Sequence, residues 1–277
     1  MTNLPSNNSR TNNGCFMWFV GVLLIVCIVP VVFAAGGVLL ASRGVFGDPE
    51  IKTNTYEEPS GNADSATVDM LVGTGTLQLA SLNDSANLFE ADISYVGNVT
   101  YDVNGDTHRE IALRQTAGQL DLWGVLTLWG FNGNTGNNPM LWTVNLARNV
   151  PLDLSVEGGV GDLTLDLSEI QLEGLHLKMG VGNADVTLPS LTTAYAVTIE
   201  GGVGRITITL PQDLEARVTA NQGVGQLSMP ARLARTSGSD NNVDVAQSGV
   251  WETPGYANAQ ARLTLTYDNG VGNLIVR

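Results

Sequence analysis

The sequence predicts an all-β chain: a β-solenoid of about six 21–22-residue repeats with a β-rich N-terminal cap, preceded by a single transmembrane helix. Three observations predict it. The tripeptide Gly-Val-Gly recurs around Val160, Val181, Val203, Val224 and Val271, at spacings of 21, 22, 21 and 47 residues. Self-similarity at such a period signals stacked units. Apolar residues alternate with polar ones on both sides of each tripeptide, the period-two pattern of a strand with one buried face. Finally, no charged side chain occurs between Arg10 and Arg43.

In chain order, residues 1–15 form a polar, Asn-rich tail. Residues 16–41 form the predicted membrane helix. Its 26 residues, Phe16 to Ala41, exceed the ~20 that span a bilayer. They also exceed the 7–15-residue apolar core of a cleaved signal. Residues 42–66 carry Gly, Pro, Asn, Ser and acids without periodicity and read as a linker. Residues 67–150 read as a β-rich N-terminal domain. Its runs are Val68–Met70, Leu77–Leu79, Asp92–Tyr95, Asn98–Val103, Glu110–Gln115, Gln119–Leu128 and Leu141–Leu146. Asn104-Gly105 has the composition of a hairpin turn. Residues 151–277 carry the Gly-Val-Gly repeats.

Each repeat reads as strand, glycine turn, strand and connector. The turns are Gly159-Val160-Gly161, Gly180-Val181-Gly182, Gly202-Val203-Gly204, Gly223-Val224-Gly225 and Gly270-Val271-Gly272. Gly249-Val250-Trp251 reads as a degenerate copy that divides the last gap into 26 and 21 residues. The glycines are expected to take positive φ at tight corners. The valines, Val250 included, are expected to stack in one inward column. Three residues before each valine lies an expected surface ladder: Glu157, Lys178, Glu200, Asn221, Gln247 and Asp268. A sandwich of hairpins with glycine turns is the competing arrangement.

Charge narrows the function classes. The chain has 13 basic and 27 acidic residues, a formal net charge of −14, so no electrostatic footprint for nucleic acid exists. The only cysteines are Cys15 and Cys27, which leaves residues 42–277 without a disulfide framework or a thiolate metal site. Gly158–Leu163 resembles the start of a calcium-binding nonapeptide, but Leu163 stands where that repeat needs Asp. Neither a dinucleotide fingerprint nor a P-loop triplet occurs. His108 and His176 lack a neighbouring ligand at metal-site spacing. Asp162, Asp166 and Asp185 are the nearest candidates for a carbohydrate-active face, and Trp123, Trp129 and Trp142 read as core or cap. No catalytic residue, cofactor or metal site is expected.

The run Leu141–Gly161, LWTVNLARNVPLDLSVEGGVG, with the glycine turns that follow it, resembles toast-rack domain proteins. These are bacterial membrane-associated proteins related to the LiaF type of cell-wall-active antibiotic response protein. The resemblance covers most of residues 67–277. It implies a β-rich toast-rack part and a role in sensing or regulating envelope stress, without enzyme activity.

Together these readings predict a membrane-anchored, non-enzymatic interaction or regulatory protein. Its expected partners are the lipid bilayer through residues 16–41, membrane sensor or envelope proteins, and other copies through the solenoid ends. Expected localisation is the cell membrane, single-pass, with the C-terminal body exported. An adhesin-like structural scaffold is the alternative, and a carbohydrate-active β-solenoid enzyme a further one.

Overall fold

The structure, a computed structural model, describes residues 51–83, 85–116, 140–238 and 245–277. The predicted membrane helix, the tail and the Gln119–Leu128 strand lie outside these residues. Among the described residues no helix is long and apolar enough to cross a membrane.

The described residues are all-β, apart from a 3₁₀ turn at Tyr256–Asn258. Its elements are β1 (Lys52–Pro59), β2 (Ser65–Thr74), β3 (Thr76–Ser81), β4 (Asn87–Tyr95), β5 (Asn98–Asn104), β6 (His108–Thr116), β7 (Leu141–Leu146), β8 (Leu152–Val160) and β9 (Leu163–Asp166). They continue with β10 (Leu172–Thr187), β11 (Tyr195–Thr209), β12 (Glu215–Ser228), β13 (Ala234–Gly238), β14 (Val245–Glu252) and β15 (Arg262–Val276). One open 15-stranded sheet contains them all.

That sheet is bent. β10, β11, β12 and β15 each run 14–16 residues through a Gly-Val-Gly corner without losing their parallel neighbours. β2 with β3, and β8 with β9, turn the same corner at Gly75 and Gly161. Every such segment therefore has a first arm and a second arm. First arms follow the order β5-β6-β2-β8-β10-β11-β15-β12-β14-β13, and second arms the order β1-β4-β7-β3-β9-β10-β11-β15-β12. Pairing is parallel in the middle and antiparallel at the ends, where β1, β4, β5, β14 and β13 attach.

Alternation explains the core. In β10 the first arm buries Leu175, Leu177 and Met179, and the second buries Ala184 and Val186. Both arms send these side chains into one apolar cluster running from Ala66 to Val276. Removing a large side chain from such a site costs about 2–5 kcal/mol with its cavity. Trp142 is wholly buried there, as a core reading requires. At one end, Tyr101 of β5 stacks within 4.7 Å of Tyr56 on β1 and 5.9 Å of Phe89 on β4, so aromatic rings join the two arms. Burial, and then the charge of Glu58, push the Tyr101 phenol up to about 12.

Three expectations change here. The linker read over 42–66 contains β1, which pairs antiparallel with β4 from Lys52↔Tyr95 to Pro59↔Asn87. Its side chains lack period-two hydrophobicity because β1 is an edge strand with most of its residues exposed. Gly249-Val250-Trp251 is not a corner: β14 runs antiparallel to β12 and sets Val250 opposite Thr219. The corner-turning segments also do not stack in sequence order, because β15 lies between β11 and β12.

Candidate interaction surface

The corner is built from glycine because backbones meet there. Gly182 has φ of +147°, and a Cβ on it would lie 1.7 Å from the carbonyl oxygen of Gly161. Gly204 has φ of +154° and would meet the Gly182 oxygen at 1.6 Å. Gly161, Gly225 and Gly272 repeat the arrangement, each against the glycine of its own neighbour. The preceding glycines form a second such column: Gly159, Gly180, Gly202 and Gly223 each stand with a neighbouring carbonyl in the place of a Cβ, and Gly270 is the loosest of the set.

At this corner the inward pattern slips by one residue. Met179 and Ala184 are both buried although five positions apart, so the strand reverses phase between them. This slip overturns the inward valine column. Val160, Val181, Val203, Val224 and Val271 are 40%, 50%, 50%, 46% and 45% exposed. They are in register, in the spatial order Val160, Val181, Val203, Val271, Val224, and form a ridge along the outer corner. Besides Ile51, these are the large exposed hydrophobic side chains of the described residues. Most surface apolar residues are scattered singly; a contiguous row is the informative case.

Behind the ridge, large and small side chains alternate. Met179 has Gly158 on one side and Gly201 on the other. Gly201 in turn faces Asn269, whose Oδ1 occupies the space a Cβ would need. The Tyr267 hydroxyl donates to Gln222 Oε1 at 2.9 Å, and Gln222 Nε2 donates to the carbonyls of Val224 and Gly272. Burial pushes the Tyr267 phenol up to about 12.

Polar columns flank the ridge. On the first-arm side the spatial order is Glu157, Lys178, Glu200, Asp268, Asn221. Lys178 Nζ lies 3.3 Å from Glu157. In sequence order the ladder places no like charges side by side, but because β15 intervenes Glu200 stands beside Asp268. Gln247 does not belong to the ladder either: β14 sets it opposite Gln222, and Ser248 faces Asn221. On the second-arm side the column is Asp162, Asn183, Arg205, Asn273, Gln226. The Asn183 amide and its Nδ2 both donate to Asp162 Oδ1, at 3.2 and 3.0 Å. Next to it, Thr164, Asp185 and Thr207 face one another across three strands. A depression of about 370 Å³ opens among these two columns.

Of the acids singled out in the sequence, Asp162 and Asp185 share this depression. Asp166 does not line it, and caps its own turn through Ser168. His108 lies against the hydroxyls of Ser65 and Thr67, at 2.8 and 3.2 Å, while His176 is exposed on β10. Arg205 and Thr207 are site residues that carboxylate spacing alone misses. Their signal is register, since they are the β11 counterparts of Asn183 and Asp185.

The N-terminal domain of toast_rack, DUF2154, matches residues 46–209. The chain belongs to the toast-rack family. Among solved structures the toast-rack body resembles a "putative cell adhesion protein" from Clostridium sporogenes, at 21% identity and a TM-score of 0.60. That match covers 82% of this chain and 98% of the other. A "putative adhesin" from Bacteroides fragilis matches at 14% identity and a TM-score of 0.30, covering 82% and 97%. No curated protein matches the chain.

Proposed function

We propose that this toast-rack chain is a membrane-anchored, non-enzymatic interaction module of the cell envelope. Residues 16–41 hold it in the bilayer and the β body is exported. The observation that carries the reading is the outer corner: a row of half-exposed valines between two charged columns. A stack of glycine corners presents that row on a stiff backbone, so a partner meets a surface already formed and less ordering entropy is lost on binding. Membership of the toast-rack family supports the envelope setting, and the family resemblance extends it to stress sensing through a membrane partner.

Two measurements test it together. Carbonate extraction is expected to leave the full chain in the membrane pellet; release of intact protein overturns the anchor. A photo-crosslinking residue at Val181 or Val203 is expected to capture a membrane or envelope protein in cells. The same probe at His176 on the first arm is expected to capture far less. Equal capture from both places overturns the ridge as the contact surface.

An adhesin-like scaffold is the second reading. Its support is the outer edge of Gln226–Ser228 in β12, which pairs with no further strand among the described residues. Open edges can join copies. Concentration-dependent assembly of the full chain, without capture of other proteins, would favour that reading.

A further inference from the structure

The second-arm depression collects polar groups that the fold leaves unused. Asp162 immediately precedes β9, Thr164 comes from β9, Asn183 and Asp185 from β10, and Arg205 and Thr207 from β11. Asp162 and Asn183 bond each other. The side chains of Thr164, Asp185, Arg205 and Thr207 have no hydrogen bond or ion pair among the described residues. Thr207, only 8% exposed as a whole residue, lines the depression with its hydroxyl still open to solvent.

The lining restricts what can enter. An inorganic anion would meet Arg205 but also the carboxylates of Asp162 and Asp185. A bare divalent cation would meet the Arg205 guanidinium. An apolar ligand would find only Leu163 and Ala184 among the lining residues. A small zwitterion would use the two free charges and leave both threonines unpaired. A neutral polyhydroxyl ligand satisfies the whole set. Its hydroxyls donate to Asp185, accept from Arg205, and do either with Thr164 and Thr207. At about 370 Å³ the depression is at the small end of ligand sites, with room for one or two sugar rings. Strands ~4.8 Å apart repeat these polar positions along the direction in which a chain of sugars would lie.

We propose that this depression is a carbohydrate-binding subsite that takes one or two rings of a neutral glycan, without cleaving it. It goes beyond the interaction module described above and does not depend on the anchor, so a soluble form of the protein would retain it.

The test is saturation-transfer NMR on the full chain, held in a detergent without a sugar headgroup. The probes are chitotetraose, maltotetraose and glycylglycine. Transfer to at least one of the two oligosaccharides is expected. Asp185→Asn and Arg205→Gln should each weaken it at least about tenfold. Thr266→Val, on the outer face of the first arm, should leave it unchanged. Thermal melts of the same samples check that the variants are folded; both charge substitutions lie on exposed positions of strands. No transfer to either oligosaccharide overturns the proposal. So does transfer that survives in either charge variant, and so does transfer to glycylglycine alone, which would mark a zwitterion site instead.

Discussion

Replacing Gly204 by alanine tests the corner directly. A Cβ at this position would stand 1.6 Å from the Gly182 carbonyl oxygen, where real contacts stay above 3.0 Å. The two strands must then part by about 1.4 Å at the corner. They are hydrogen-bonded on both sides of it, from Gly174↔Ala196 to Thr187↔Thr209. The φ of +154° adds strain of ~1–3 kcal/mol for any residue but glycine. Loosening one or two ladder hydrogen bonds adds ~1 kcal/mol each. The sum is ~2–5 kcal/mol. For a body of this size 1 kcal/mol moves Tm by ~2–4 °C, so a fall of roughly 4–20 °C is expected. Val203→Ala, one residue away, removes two half-exposed methyl groups and should cost under ~1 kcal/mol. Far-UV circular dichroism melts of both variants and the parent chain make the comparison. If Gly204→Ala melts within 2 °C of the parent, or no lower than Val203→Ala, the close approach of backbones at the corner is wrong.

Val203→Asp should cost no more than ~1 kcal/mol, whereas Ile199→Asp, at a wholly buried site four residues earlier, should abolish folding; equal melting of the two would restore an inward valine. Lys178→Glu should melt below Lys178→Gln at low salt, because it sets four acids in succession with Glu157, Glu200 and Asp268. These groups are exposed, so the difference is at most ~1 kcal/mol and should vanish in high salt; a gap that persists there would point to packing instead. Stability should fall as pH rises above 10. Burial holds the Tyr267 and Tyr101 phenols near 12 in the fold against 10.0 when unfolded, and raises Tyr195 as well. The folded state therefore keeps protons that the unfolded state has lost, and the stability present below pH 10 disappears through about pH 12. Tyr267→Phe should flatten that slope, read from Tm measured between pH 8 and 12, and an unchanged slope would exclude Tyr267 as a contributor.

The period of the glycine corners and the alternation of apolar residues were legible in the sequence, and with them the all-β class. The direction of the valines was legible too, but only from both sides of the corner at once. Leu175 and Leu177 put odd positions inside, while Ala184 and Val186 put even positions inside. Val181 is inward by the first rule and outward by the second. Extending the first arm straight through the corner chooses wrongly, because the chain reverses phase at Gly180. Edge strands were the hardest to read. β1 and β13 bury little, so their side chains carry no period-two signal, and backbone pairing alone defines them. The depression on the second arm depended on register between three strands, which spacing within any one of them does not reveal.

The order of the strands could not be read from the repeat, because near-identical units can stack in many orders with the same apolar register. The inward residues just before the corner break that degeneracy. Gly201 of β11 leaves space, and Asn269 of β15 occupies it. Tyr267 of β15 needs an acceptor for its buried hydroxyl, and Gln222 of β12 supplies one at 2.9 Å. Stacking β12 directly on β11 would set Gln222 against Gly201 and separate Tyr267 from that acceptor. The observed order has its own cost, since it brings Glu200 beside Asp268. Both acids are exposed, so their repulsion is ~1 kcal/mol or less. An unpaired buried hydroxyl costs ~1–3 kcal/mol, and the Gln222 amide would add its own loss. The buried network therefore outweighs the surface charges. It also explains why the outer ladder, read in sequence order, promised a charge alternation that the protein does not keep.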